Sequence, residues 1–507
     1  MTDAPPTRIA IVGGGTAGWI AASALTRFLP KGRFSIALVE SEEIGIVGVG
    51  EATIPQIRLL NAALGIDEYA FMRASQATYK LGIEFVGWGT AASRYIHAFG
   101  SVGRPTGTVP FHHYWLRGRQ LGQRQPLDAY SLNAQAAWSN RFAKTDGIDL
   151  PYAFHFDAAL YARFLRGWAE ARGVTRHEGR IVEVRRDGES GEVRDVVLSD
   201  GRAIAADLFL DCSGFRGILI EQALETGYED WTHWLPCDRA IAIPCAPAPS
   251  LAPYTRSTAH RAGWQWRIPL QHRIGNGHVY CSAHTSDEEA LAVLLANLDG
   301  EPLGEPRTLR FSTGRRKAFW NRNVVALGLA AGFMEPLEST SIHLVQSAIE
   351  RVIRYLPNGP IRAADVAAYN AETVFEWERV RDFIILHYHA NSRPEPFWRT
   401  CATMAVPETL AAKLALFRAN GRITRQNEEL FAEVGWLQVL IGQGIMPEGW
   451  HPLADGHSPA EVVELLTLLR QVTAKQASTL SDHAQFLARH CPAPSPTRQA
   501  APSVMPS

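Results

Sequence analysis

The sequence predicts an α/β fold: a doubly wound parallel sheet with an interleaved second region, closed by a helical C-terminal module. Three observations carry that expectation. Residues 8 to 40 read as one β-α-β unit. Three short strand patterns, separated by Asp187-Gly188 and Asp200-Gly201, read as a β-meander. Beyond about residue 356 the strand signals stop and helical periodicity takes over. The 507 residues suffice for roughly three domain equivalents.

Taken in order, Ile9 to Val12 form a short buried strand, Gly13 to Gly18 a turn, Trp19 to Leu29 a helix, and Phe34 to Val39 a second strand ending in Glu40. Lys80 begins an alternating run, Leu81, Ile83 and Phe85 against Gly82, Glu84 and Val86, which suits a strand with one buried face. A loop is expected over the Gly/Arg/Gln-rich residues 100 to 127, with His112-His113 in it and without a role, and a Pro-rich loop over 244 to 253. Arg180 to Arg186, Glu192 to Leu198 and Arg202 to Ala206 are the meander, feeding the strand Leu208 to Leu210. Trp264 and Trp266 alternate with polar residues before Ile268-Pro269, as same-face side chains of a strand would. Thr340 to Tyr355 is an amphipathic helix with Ile342, Val345, Ile349, Val352 and Ile353 along one stripe. Helices follow over Val366 to Tyr388, over Glu408 to Asn420 before Gly421, and after Ser458, where Ser458-Pro459-Ala460-Glu461 forms a capping box.

Composition narrows the classes further. Fifty Lys+Arg against 51 Asp+Glu, with 46% hydrophobic and 20% charged residues, is globular and almost neutral. That argues against disorder and against recruitment of nucleic acid by bulk charge. The six cysteines show no CxxC and no regular spacing, so neither a zinc site nor a disulfide framework is expected. His387 and His389 suggest a metal pair, but residues two apart on a helix do not share a face, and no metal is expected. The N-terminus lacks a charged segment followed by an apolar one, and the longest apolar run, Val324 to Met334, is glycine-interrupted and too short to span a bilayer. A cytoplasmic chain without a membrane partner is expected. Tryptophan is over-represented, 14 against 13 tyrosines, and such rings are usually spent on cores, interfaces or flat ligands.

Gly13-x-Gly15-x-x-Gly18 follows a strand, opens a helix, and is answered by Glu40 at the end of the next strand. Glycines there let backbone amides approach a pyrophosphate at a helix N-terminus, and the carboxylate accepts hydrogen bonds from an unphosphorylated ribose. FAD or NAD is therefore expected rather than NADP. The meander followed by Leu208-Phe209-Leu210-Asp211-Cys212-Ser213-Gly214 resembles the second half of large FAD-binding folds of the aromatic hydroxylase type, and FAD is preferred.

Five motifs together resemble the flavin-dependent tryptophan halogenase family. They are Gly13-Gly14-Gly15-Thr16-Ala17-Gly18-Trp19, Gly50-Glu51-Ala52-Thr53-Ile54-Pro55, Tyr79-Lys80-Leu81-Gly82, Trp264-Gln265-Trp266-Arg267-Ile268-Pro269 and Glu335-Pro336-Leu337-Glu338-Ser339-Thr340. They run from residue 8 to about 400 in the family's order. The resemblance implies FAD held by Gly13, Gly15, Thr16, Ala17, Gly18, Glu40, Ala52 and Leu337, and chloride or bromide held near Thr340 and Ser341. It implies that Lys80 holds hypohalous acid by hydrogen bond or as a haloamine, and that Glu338 stabilises the cationic ring and assists loss of its proton. It also implies a substrate wall from His97, Phe99, Phe397 and Trp398, and a channel flanked by Trp264, Trp266, Ile268 and Pro269. Each has a plainer reading: Lys80 as a strand-end surface lysine, Glu338 as a helix-capping acid, and the aromatic residues as core packing.

Two departures bear on substrate and halide. Members acting on free tryptophan commonly carry glycine where this chain has Ser341, which keeps the amide donor and leaves the halide open. Those members also grip the amino-acid end with a tyrosine pair and an acid, whereas this chain reads Leu386-His387-Tyr388-His389 and Arg393-Pro394-Glu395-Pro396. An electron-rich aromatic, an indole compound, is expected in place of free tryptophan.

The implied activity is that of an FADH2-dependent halogenase using O2 and halide. One FAD fingerprint and no second nucleotide-binding unit imply a separate NAD(P)H-dependent flavin reductase as partner, beside a small aromatic substrate and a homodimer. The alternatives are an FAD-dependent aromatic hydroxylase, against which Leu327 to Phe333 lacks the expected Gly-Asp, and a non-catalytic flavin-binding protein. In outline, residues 1–355 form the FAD-binding region with interleaved substrate and meander segments, 356–490 a helical module completing the substrate pocket, and 491–507 a disordered tail.

Overall fold

The computed structural model describes residues 6–43, 50–248 and 250–494. Its central sheet has six strands in the order Trp320–Asn321, Val324–Ala326, Leu208–Asp211, Thr7–Val12, Phe34–Glu40 and Thr175–Glu178. All pair in parallel except the first two. This is the doubly wound sheet the sequence implied. Helix Thr16–Phe28 packs behind it with Trp19, Ile20 and Leu25 buried. Strands buried on both faces explain the near-continuous apolar runs at Ile9–Val12 and Leu208–Leu210. The meander forms its own three-stranded antiparallel sheet of Ile181–Arg186, Val193–Leu198 and Ala203–Ala205.

A second large sheet has seven strands, ordered Arg307–Arg310, Arg239–Cys245, Ile274–Tyr280, Gly263–Pro269, Thr255–His260, Gly82–Val86 and Arg94–Ala98. A small sheet of Gly50–Ala52, Ala153–Asp157 and Thr78–Lys80 packs against strands Gly263–Pro269 and Ile274–Tyr280 of this sheet. The alternating run after Lys80 is therefore two strands in two sheets, broken at Leu81, and both faces are covered. Glu84, read as the polar side, is buried and pairs with Arg94 and Arg256. Charge pairing rather than solvent satisfies it.

Among the described residues no strand follows Gly332–Phe333, and the chain ends in helices. Ala363–His389 and Glu408–Asn420 lie where periodicity put them, and Pro459–Thr479 carries the capping box of Ser458 with Glu461. Three shorter helices, Pro396–Thr403, Glu433–Gly442 and His483–His490, were not anticipated. The loop expected over 100 to 127 is corrected: it contains helix Phe111–Gln120, and His112 and His113 are buried within it. Gly118 lies where the side chain of Leu466 closes on that helix, so glycine there serves packing rather than a turn. The tail expected from 491 falls mostly outside the described residues, but Cys491 itself is buried and the Ala493 N–H donates to Gln271. All six cysteines are free thiols. No described helix is long and apolar enough to cross a membrane.

Candidate functional site

The carboxyl ends of the central strands open into a cavity of about 850 Å³. Its floor is the Gly13 turn, where φ of +113° at Gly13 puts any side chain against the Cys212 backbone. A Cβ at Gly15 would meet no protein atom and would project into open space. That is a cradle shaped for a ligand's backbone approach. Thr16, Ala17, Glu40, Ala52 and Leu337 also line the cavity, while Gly18 packs its α-carbon face against the Gly13 carbonyl. Glu40 is held by Arg176, with Arg166 3.6 Å away.

The far wall comes from the seven-stranded sheet. Trp264, Trp266 and Ile268 all face the cavity; Pro269 does not. The two indoles lie 6.1 Å apart. The Trp266 ring lies over Gly277 of the neighbouring strand, which has no room for a side chain. Trp264 donates its indole N–H to Glu335 at 2.7 Å, and Tyr388 donates to the same carboxyl oxygen. Burial pushes the Glu335 carboxyl up to about 7 against those two donors.

The wall ends at a tight loop. Pro336–Glu338 form one turn of 3-10 helix, Ser339 takes the left-handed conformation at φ of +60°, and helix Ser341–Arg354 begins at Thr340. A non-glycine residue there stores of order 1–3 kcal/mol of strain, held by its surroundings. The helix anchors the loop by burying Ile342, Val345, Ile349 and Val352, each worth about 1.5–3 kcal/mol. Ser339, Thr340 and Ser341 all line the cavity.

Lys80 lies behind this loop, fully buried. Its Nζ donates to the Ser339 hydroxyl at 2.7 Å and to the Thr53 carbonyl at 2.9 Å, with the Phe99 ring centre 5.5 Å away. Desolvation pulls the ammonium down to about 7, with the Glu338 charge opposing it. Glu338, also buried, is gripped by His97, whose Nδ1 lies 2.9 and 3.1 Å from its two oxygens. His387 Nε2 lies 2.7 Å from one of them. Despite its burial, the contact with His97 above all holds the Glu338 carboxyl down at about 2.

The sequence-predicted residues thus separate into two groups. Lys80, Glu338 and His97 converge with half-buried Phe99 beside them, and Ser339 joins that cluster to the cavity. Phe397 and Trp398 instead sit fully buried in an aromatic cluster, Trp398 5.3 Å from Trp88 and 5.7 Å from Tyr388, its N–H donating to the His260 carbonyl. Residues missed by sequence reasoning are Thr53, Ser339 and His387. The first two lay inside motifs already quoted, and His387 was weighed only as half of a metal pair.

The doubly wound dinucleotide fold is that of the flavin-dependent halogenases, a class of FADH2-dependent oxidoreductases. The tryptophan halogenase family model matches residues 8–459, and the chain belongs to that family. It is 34% identical to a tryptophan 6-halogenase from Streptomyces toxytricini over 96% of this chain and 99% of the other. Among solved structures, a flavin-dependent halogenase from Xanthomonas campestris superimposes with a TM-score of 0.95 at 47% identity, covering 97% of this chain and 100% of that one. Another, from Brevundimonas sp. BAL3, gives 0.92 at 45% identity, covering 95% and 99%.

Proposed function

We propose that the chain halogenates an electron-rich indole compound with reduced FAD, O2 and chloride or bromide. The observation that carries this reading is the bond from Lys80 Nζ to Ser339 Oγ, because Ser339 both lines the cavity and adjoins Glu338. FAD fits the Gly13 to Gly18 turn, with Glu40 for its ribose and Ala52 and Leu337 beside it. When bound and reduced, it supplies, with O2 and halide, hypohalous acid at the cavity end.

The chain's own residues do the rest. The amides of Thr340 and Ser341, at a helix N-terminus, hold the halide; the dipole contributes only about 0.3–1 kcal/mol, so burial and contacts supply the remainder. Trp264, Trp266 and Ile268 keep the organic substrate away from the flavin. Lys80, being near neutrality in its titration, presents an amine that can bind hypohalous acid or form a haloamine. The aromatic ring lies against Phe99 and His97, with Phe397 and Trp398 backing the site from the core. Glu338, ionised, stabilises the cationic ring and takes its proton.

The test supplies the protein with a flavin reductase, FAD, NADH, indole and either bromide or chloride, and reads products by mass spectrometry. Indole carrying the halogen's isotope pattern is expected. Hydroxylated indole independent of halide would establish the hydroxylase instead, and NADPH consumption without added reductase would revive that alternative.

A further inference from the structure

Glu338 has one neighbour with no part in the reading above. His387, on helix Ala363–His389, is fully buried, and its Nε2 lies 2.7 Å from Glu338 Oε1 without forming an aligned hydrogen bond. The groups behind it decide which ring nitrogen carries hydrogen. Gln443 donates its amide to the carbonyls of His387 at 2.8 Å and Ala390 at 2.7 Å. Both amide hydrogens are then spent, and Oε1 faces the Tyr95 hydroxyl at 2.9 Å. Tyr95 has one proton to give, and Gln443 takes it. The Tyr95 oxygen, 3.3 Å from His387 Nδ1, can therefore only accept. Nδ1 carries the hydrogen, and in the neutral ring Nε2 is a lone pair turned on a carboxylate.

Burial favours that neutral ring. Two lone-pair atoms 2.7 Å apart are one proton short of a strong hydrogen bond. The other groups facing Glu338 do not take this place. His97, from strand Arg94–Ala98, already points its Nδ1 at both carboxylate oxygens; Tyr95, from the same strand, is committed to Gln443; Lys80, from strand Thr78–Lys80, donates to Thr53 and Ser339.

We propose that His387 is the proton acceptor behind Glu338. The halogenated ring carbon loses its proton to a Glu338 oxygen, the C–H electron pair restores aromaticity, and the proton comes to rest between Oε1 and Nε2 until product leaves. His387 touches no substrate; it acts through Glu338 as a positioning residue. The inference rests on the halogenase reading, and its test separates the two.

Wild type, Glu338→Gln, His387→Gln and Tyr95→Phe are compared with indole and with indole deuterated at every ring carbon. Glutamine at 387 can donate to Glu338 but cannot accept a proton. His387→Gln is expected to lower kcat about tenfold or more, to leave KM for indole and FAD affinity within about twofold, and to show a primary isotope effect larger than wild type's. Tyr95→Phe frees the imidazole to carry hydrogen on Nε2 and is expected to raise the isotope effect in the same way. With Glu338→Gln inactive, unchanged kcat and an unchanged isotope effect in His387→Gln overturn the proposal. If His387→Gln no longer binds FAD, an unchanged isotope effect in Tyr95→Phe overturns it. A fully active Glu338→Gln overturns the underlying reading and this inference with it.

Discussion

Lys80 shows how little of a side chain's state can be read from its neighbours in sequence. Its alternating context suggested a strand with a wet face, yet both faces are covered because two sheets meet at Leu81. Only the family resemblance marked Lys80 and Glu338 as reactive; their burial and convergence arise from elements 258 residues apart. His387 carried no local signal at all, since its partners Glu338, Tyr95 and Gln443 lie on three other segments. Burial of Lys80 has a measurable cost. Its folded value of about 7 lies below the ordinary lysine value of 10.5, so the unfolded chain binds more protons between those limits and stability rises with pH there. Relative to Lys80→Met, wild type should gain up to about 5 kcal/mol of stability across that window. Denaturant unfolding of both proteins at pH 7 and at pH 9.5 checks this. Parallel behaviour would mean the ammonium is solvated.

Elements with strong local signals were legible. The Gly13 turn between Thr7–Val12 and Thr16–Phe28, the meander with its Asp-Gly turns, and the capping box at Ser458 all encode their geometry within a few residues. Helix Phe111–Gln120 was not, because Gly118 and the basic residues read as loop until Leu466 supplies the packing that glycine permits. The same contrast gives a clean test of the cofactor cradle. Gly15 has φ of −73°, and a Cβ there meets no protein atom. Gly15→Ala should therefore fold with wild-type stability and bind FAD at least about tenfold more weakly, corresponding to about 1.4 kcal/mol. Flavin-fluorescence titration beside thermal unfolding reads both quantities. Undiminished FAD binding would move the ligand away from this turn.

At the scale of the whole molecule, the doubly wound sheet supplies the glycine turn that floors the cavity, the seven-stranded sheet an aromatic wall, and the C-terminal helices a clamp. Consecutive residues of helix Ala363–His389, His387 and Tyr388, reach the two acids of one loop, Glu338 and Glu335. Helix Glu433–Gly442 pins the strand carrying His97 through Gln438, which exchanges hydrogen bonds with the backbone of Ala98. Part of the tryptophan excess has a place here: Trp19, Trp264, Trp266 and Trp377 line the cavity, while Trp88 and Trp398 pack against each other in the aromatic cluster. Sequence exposed the doubly wound sheet and helix Ala363–His389 but not helix Glu433–Gly442, and tertiary contact decided which parts faced one another. The proposed halogenation requires that oxidant formed in the cavity reach the ring only through Lys80. The direct measurement follows reduced-flavin consumption and halogenated indole together in wild type and Lys80→Met, with reductase, NADH, O2 and bromide present. The variant is expected to bind FAD and consume reduced flavin at the wild-type rate while halogenated indole disappears. Halogenated indole formed by the variant at the wild-type rate would contradict it.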